Sequence, residues 1–249
     1  NLKECRKFVN NLRPDWVINA AAYTNVEKAE EEKERALIIN GIAPKILAKE
    51  VYKNGGKFLH ISTDYVFDGN QNYAYKTNQK RNPLNYYGKS KCLGEENIEK
   101  IFNFSSNGII LRTSWIIGNT GNNFLKSILK LLKEGRDLQI ISDQIGAPTN
   151  SYKLSKICWE IINKFELGIK IPKTLHWSDA GVASWYDIAQ SIYEISTRLG
   201  ILKNSSSIVP IKTSQYSAKA ERPKFSLLDC SLTKEVLNEN QIYWRKGIE

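Results

Sequence analysis

Apolar residues fall into short unbroken runs separated by stretches of helical periodicity. Leu2, Cys5, Phe8, Val9 and Leu12 recur at helical spacing, so the chain opens on an amphipathic helix that Pro14 terminates. Trp16-Val17-Ile18-Asn19-Ala20-Ala21-Ala22 follows as a continuous strand. Lys57-Phe58-Leu59-His60-Ile61 and the run from Ile109 to Gly118 repeat the pattern. Runs that do not alternate suit a parallel sheet covered on both faces. Between them, helices are predicted from about Val26 to Ile39, Ala43 to Lys53 and Tyr87 to Glu99, the second stopped by Gly55-Gly56. Strand, helix and strand alternate. The predicted class is α/β, a doubly wound, Rossmann-like parallel sheet.

Beyond Gly118 the texture changes. Gly121-Asn122-Asn123-Phe124 opens a helix through Lys133, and Leu138 to Ile141 reads as a strand before a turn-rich loop, Asp143 to Thr149. Helices follow at about 151–165, 184–198 (capped by Ser184) and 233–238, with a short strand at Leu175 to Asp179. There is no internal repeat and no low-complexity segment.

The chemistry gathers where the second strand ends. Its apolar run passes into Ser62-Thr63-Asp64, and Pro83-Leu84-Asn85 then leads into a helix carrying Tyr87 and Lys91. Positions i and i+4 share a helix face, so phenol and amine stand together. A free tyrosine has a pKa of about 10, and a nearby ammonium lowers it toward useful acid–base strength. Thr63 or Ser62 is then expected to hold a substrate oxygen while Tyr87 gives or takes the proton. A second Tyr-x-x-x-Lys pair, Tyr152 and Lys156, lacks such hydroxyls upstream. Ala20, Ala21, Ala22, Tyr23 and Thr24, at the end of the first strand, let a ligand approach the backbone, since open α/β sheets bind ligands at strand carboxyl ends.

Composition narrows the classes. With 249 residues, 41% hydrophobic and 25% charged, the chain is ordinary for a globular protein. No apolar run approaches the roughly 20 residues of a membrane span, and nothing at Asn1 reads as a signal peptide, so a cytoplasmic protein without a membrane partner is expected. The net charge of +10 comes from scattered lysines with glutamate interspersed, which argues against a nucleic-acid partner and suits an anionic small substrate. Cys5, Cys92, Cys158 and Cys230 lie far apart, make no metal-binding spacing and read as reduced thiols. The sequons at Asn103 and Asn204 are then coincidental. His60, inside an apolar run, reads as a packed strand residue.

One element is missing. A sheet of this kind binds a dinucleotide through a glycine-rich turn after its first strand, and none of the 15 glycines forms one. The reading is that residues 1–117 are a dinucleotide-binding domain without its first βαβ unit, or that no dinucleotide binds in the usual way. Without that turn the polypeptide alone is expected to be poorly soluble or inactive. Residues 118–249 are expected to form a smaller, mainly substrate-binding region, with about 151–170 packing back on the sheet.

Taken together, Asn19 to Thr24 with Glu27-Lys28-Ala29-Glu30, the string Ser62 to Gly69, Pro83-Leu84-Asn85 with Tyr87-Gly88 and Lys91, Arg112-Thr113-Ser114-Trp115, Asp143-Gln144 with Gly146 to Thr149, and Arg222-Pro223 resemble the dTDP-4-dehydrorhamnose reductase family of extended short-chain dehydrogenases/reductases. The resemblance implies reduction of the 4-keto group of dTDP-4-dehydro-L-rhamnose by NADPH or NADH. Tyr87 is then the proton donor, Lys91 holds the nicotinamide ribose and Thr63 binds the reacting oxygen. Asp64 and Trp115 line the sugar pocket, Ala22, Tyr23 and Thr24 pass along the cofactor, and Ser62 stands beside the nicotinamide. A homodimer and a Mg²⁺ ion are compatible with the family, though no residue pattern points to the ion. Two other readings stay open: a non-catalytic regulatory, nucleotide-sugar-binding subunit on the same fold, and another nucleotide-sugar epimerase or dehydratase.

Overall fold

The protein is described by a computed structural model over residues 1–202 and 206–249; the sequon at Asn204 lies outside the described residues. Helix α1 (Leu2–Leu12) leads to strand β1 (Trp16–Asn19), and short helices α2 (Val26–Ala29) and α3 (Lys33–Leu37) precede α4 (Ala43–Lys53). Strand β2 (Lys57–Thr63), helix α5 (Tyr86–Ile101) and strand β3 (Gly108–Thr113) come next, then the two-residue strand β4 (Ile116–Ile117) and helix α6 (Phe124–Lys133). Strands β5 (Leu138–Ile141), β6 (Ile145–Gly146) and β7 (Thr149–Asn150) lead into α7 (Ser151–Glu166) and β8 (Thr174–Trp177). The chain finishes through β9 (Ala183–Ser184), α8 (Trp185–Arg198), β10 (Ile208–Ile211) and α9 (Ser231–Leu237).

The main sheet runs β1-β2-β3-β8, all parallel. Thr63 pairs with Thr113 and Thr113 with Trp177, so the carboxyl ends of three strands stop level on one edge. Side chains alternate between the faces of a strand. Phe58 and Ile110 meet Val9 of α1, Ala48 and Val51 of α4, and Ile98 and Phe102 of α5. Leu59, Ile109 and Leu111 meet Leu154, Ile157 and Ile161 of α7 and Leu237 of α9. Both faces are dry, which is why the strands read as unbroken apolar runs. A second cluster joins α6 and α8 to the β5–β10 pair through Ile128, Leu132, Leu138, Ile188, Ile192 and Ile208. Ser184 caps α8 with a reciprocal bond to Asp187.

The structure corrects three expectations. The first strand stops at Asn19, leaving Ala20 to Asn25 as a strand-end loop. The helix expected from Val26 to Ile39 is interrupted after Ala29 and ends in a π-helical turn, Ile38–Ile42. Asn40 in that turn gives its side chain to long-range partners: Oδ1 accepts the Tyr23 N–H at 2.8 Å, and Nδ2 donates to the Tyr23 carbonyl and Ser90 Oγ, both at 3.0 Å. These contacts coincide with the widened turn. The run from Ile109 to Gly118 breaks at Ser114-Trp115, where Trp115 has φ of +45° and β4 departs to pair with β7. Ile208–Ile211, for which the sequence pattern predicts no element, is a strand despite Pro210, which is tolerated because β10 has only β5 beside it.

Candidate active site

Helix α5 is fixed to the end of β2 by its first turn. Asn85 caps it, accepting the Gly88 N–H at 2.8 Å while donating to the Glu221 carbonyl at 2.7 Å. Glu30, just past α2, accepts the Tyr86 N–H at 2.7 Å. Gly88 makes the approach close: a Cβ there would stand 2.3 Å from the Tyr65 carbonyl oxygen. Backbone offers no flexible end to move aside. Gly88→Ala is therefore expected to cost about 1–3 kcal/mol in denaturant unfolding, the usual range for overpacking, and to displace the adjacent Tyr87. A variant as stable as the parent would show that the helix start is not held here.

The hydroxyls and the phenol meet at the strand end. Thr63 Oγ1 donates to Asp64 Oδ1 at 3.0 Å and accepts the Tyr65 N–H at 3.2 Å. Burial pushes the Tyr87 phenol up to about 12, with the Thr63 hydroxyl working against this and the Asp64 charge adding to it. Burial also pushes Asp64 up to about 6, against the hydroxyls of Ser226 and Thr63. Lys91 is buried one helical turn beyond Tyr87, but its amine turns under β2, donating to the Ile61 carbonyl at 2.7 Å with His60 Nε2 at 3.4 Å. Burial pushes it down to about 8, with Glu95 opposing. The expectation that the Lys91 cation lowers the Tyr87 pKa is thus not met: desolvation of the phenol dominates, and the amine is engaged elsewhere.

Two adjoining chambers open here, of about 430 and 470 Å³, sharing Thr24, Thr63, Tyr87 and Trp115 as walls. Ser62 and Ser114 line the first; Asp64, Tyr65, Trp185 and Arg222 line the second. Trp115 stacks on Trp185 with ring centroids 3.9 Å apart and 17° between planes, and Phe124 lies 4.7 Å from Trp185. The left-handed backbone of Trp115 is strained for a residue with a side chain, a cost of order 1 kcal/mol or more that concentrates at functional sites. Arg222 pairs with Glu27 at 2.5 Å.

Of the residues singled out from sequence, Ser62, Thr63, Asp64, Tyr87, Trp115 and Thr24 come together around these chambers. Ala20, Ala21, Ala22 and Tyr23 stand at the end of β1 without lining either, and Lys91 lies beneath. Trp185, Phe124 and the position of Arg222 were missed. Trp185 falls at the start of the helix expected at 184–198, and no local signal ties it to Trp115, 70 residues earlier. Ser62 Oγ and Asp64 Oδ2 are buried and make no hydrogen bond of good geometry among the described residues, keeping only weaker contacts, Ser62 with Glu95 and Asp64 with Ser226. Among the described residues no three His, Cys, Asp or Glu side chains gather closely enough to hold a metal ion, and no helix is long and apolar enough to cross a membrane.

Fold and site together define an α/β protein that sets a half-buried tyrosine, a buried lysine one helical turn on and adjacent hydroxyls at the carboxyl edge of a parallel sheet. The chain belongs to the RmlD substrate binding domain family, whose model matches residues 1–249. It is 35% identical over 243 residues to a dTDP-4-dehydrorhamnose reductase of Aggregatibacter actinomycetemcomitans, covering 97% of this chain and 82% of that one. It is 34% identical over 246 residues to the spore coat polysaccharide biosynthesis protein SpsK of Bacillus subtilis, covering 99% and 81%. The crystal structure of a dTDP-4-dehydrorhamnose reductase from Bacillus anthracis in complex with NADP superposes with a TM-score of 0.87 at 33% identity, covering all of this chain and 83% of that one.

Proposed function

We propose that the protein reduces the 4-keto group of dTDP-4-dehydro-L-rhamnose to dTDP-L-rhamnose with NADPH or NADH. The observation that carries this reading is the convergence of Thr63, Asp64, Tyr87 and Trp115 on one strand-end cavity, in a chain whose relatives include reductases of that name.

The residues fit the cofactor at its reactive end: Thr24, Ser62, Thr63 and Ser114 line the first chamber beside Tyr87 and supply polar groups to a nicotinamide carboxamide. A bound nicotinamide supplies the hydride. The chain's own groups supply position and the proton. A phenol held at about 12 stays protonated throughout the neutral range, so Tyr87 is loaded as an acid for the carbonyl oxygen as that oxygen gains charge. Thr63, freed from Asp64, hydrogen-bonds the same oxygen and fixes its approach. Asp64 Oδ2 accepts from a sugar hydroxyl, Trp115 offers its ring to the sugar's apolar face, and Arg222 faces the diphosphate. Lys91, whose amine bonds the Ile61 carbonyl, would have to leave that carbonyl to hold the nicotinamide ribose and return a proton to Tyr87.

The test has two arms. The indoles of Trp115 and Trp185 report on the chamber, so dTDP-sugar is expected to quench tryptophan fluorescence saturably in residues 1–249, and Trp115→Ala to weaken binding about tenfold, in the range of one stacked aromatic contact. NADPH oxidation by the protein is expected to depend on the 4-keto sugar. Nucleotide-sugar binding without any turnover would replace this proposal with the binding-subunit reading.

A further inference from the structure

His60 is fully buried at the centre of β2 and touches no cavity of the site. Its ring nitrogens meet different partners. Nδ1 lies 3.0 Å from Asn19 Nδ2 at the end of β1, and Nε2 lies 3.4 Å from Lys91 Nζ on α5. The Asn19 amide is oriented by its own oxygen, which accepts the Ala21 N–H at 3.3 Å. Its NH₂ therefore points at the imidazole, and Nδ1 must be the bare acceptor. Burial in the dry centre of the sheet opposes charging the ring, so it carries a single proton. That proton sits on Nε2, facing Lys91.

The Lys91 amine already donates to the Ile61 carbonyl at 2.7 Å. An ammonium has no lone pair and would turn a second donor against the His60 N–H, whereas a neutral amine has a lone pair to receive it. We propose that His60 is a positioning residue that presents its Nε2–H to Lys91 and so eases the loss of the amine's proton. Its meaning for catalysis rests on the reductase reading; the placement of the proton does not.

The groups around Lys91 are consistent with this. Across from it, β2 contributes only neutral His60 and a carbonyl. On its own helix, Glu95 favours the charged form, but that carboxylate is shared by Arg112 of β3 and Arg81. Burial itself disfavours the charge. Gly94 permits the close approach of α5, since a Cβ there would stand 2.3 Å from the Asn40 carbonyl oxygen and 3.6 Å from His60 Nε2.

The only other histidine, His176, carries its proton on the opposite nitrogen. Its Nδ1 lies 3.1 Å from the Tyr75 carbonyl, which can only accept, and its Nε2 lies 3.3 Å from Arg112 Nη1, which can only donate. The experiment uses this contrast. Long-range ¹H–¹⁵N spectra of the ligand-free protein labelled at histidine are expected to show two neutral rings of opposite tautomer between about pH 6 and 9, with the Nε2–H ring lost in His60→Leu. A His60 ring protonated on Nδ1, or charged at pH 6, overturns the proposal, whatever the activity. In the reductase assay, His60→Leu is expected to move the alkaline limb of kcat/KM upward by about one pH unit, the equivalent of one buried hydrogen bond. A uniform loss at every pH, with the limb unmoved, would reduce His60 to packing and overturn the proposal.

Discussion

Tyr87→Phe is expected to lower kcat for the 4-keto sugar by about 10²–10⁴-fold, the usual worth of a positioned general acid. Nucleotide-sugar binding should stay within about threefold, because the ring that closes the chamber remains and only the proton donor is lost. The pH profile sharpens the test. Reduction needs the phenol protonated, and burial keeps it so up to about 12. The parent should therefore show no phenol limb near neutrality; the alkaline fall belongs to Lys91, which loses its proton at about 8. Activity in Tyr87→Phe within tenfold of the parent, measured as initial NADPH oxidation, would remove Tyr87 from the chemistry and leave Asp64 as the remaining acid at the site.

The sheet was legible because its strands are buried on both faces, and buried parallel strands announce themselves as unbroken apolar runs. The face shared by Tyr87 and Lys91 was legible for the same kind of reason, since i and i+4 spacing is local. What escaped depends on contacts far apart in the chain. Asn40 bonds the Tyr23 backbone 17 residues earlier and Ser90 50 residues later, and around it an apparently continuous helix widens into a π-turn. Lys91 carries the right spacing, yet the Ile61 carbonyl and His60 draw its amine under the sheet rather than toward the phenol. Trp115 was named for the sugar pocket, but its partner Trp185 and the left-handed backbone that aims it are tertiary features. Arg112, in the same string as Trp115, is not a wall of either active-site chamber; it points into the protein.

That arginine carries the second large effect. Glu95 lies two turns beyond Tyr87 on α5 and is fully buried; its Oε1 accepts Arg112 Nε at 2.9 Å, and its Oε2 accepts Arg112 Nη2 at 2.7 Å and Arg81 Nη1 at 2.9 Å. Arg112 also donates to the Thr77 carbonyl at 3.2 Å. Burial alone would raise the Glu95 pKa, but the Arg112 charge and these bonds hold it down at about 2. Glu95→Gln leaves Arg112 buried without a counter-charge and is expected to cost about 3–5 kcal/mol of unfolding free energy. Replacing both partners, Glu95→Leu with Arg112→Met, is expected to recover most of that loss, because the desolvation cost of the pair disappears with it. The sign of the pH dependence follows from a depressed carboxylate: its contribution is fully present above the unfolded value of about 4.3 and is lost as pH falls through about 2. Across that acid window the parent should lose stability faster than Glu95→Gln, which has no proton to take up at this position. Chemical denaturation of the parent, Glu95→Gln and the double variant at neutral pH and in the acid window measures both effects. A double variant as unstable as Glu95→Gln would mean that the ion pair, and not merely its balance of charge, anchors the catalytic helix to β3.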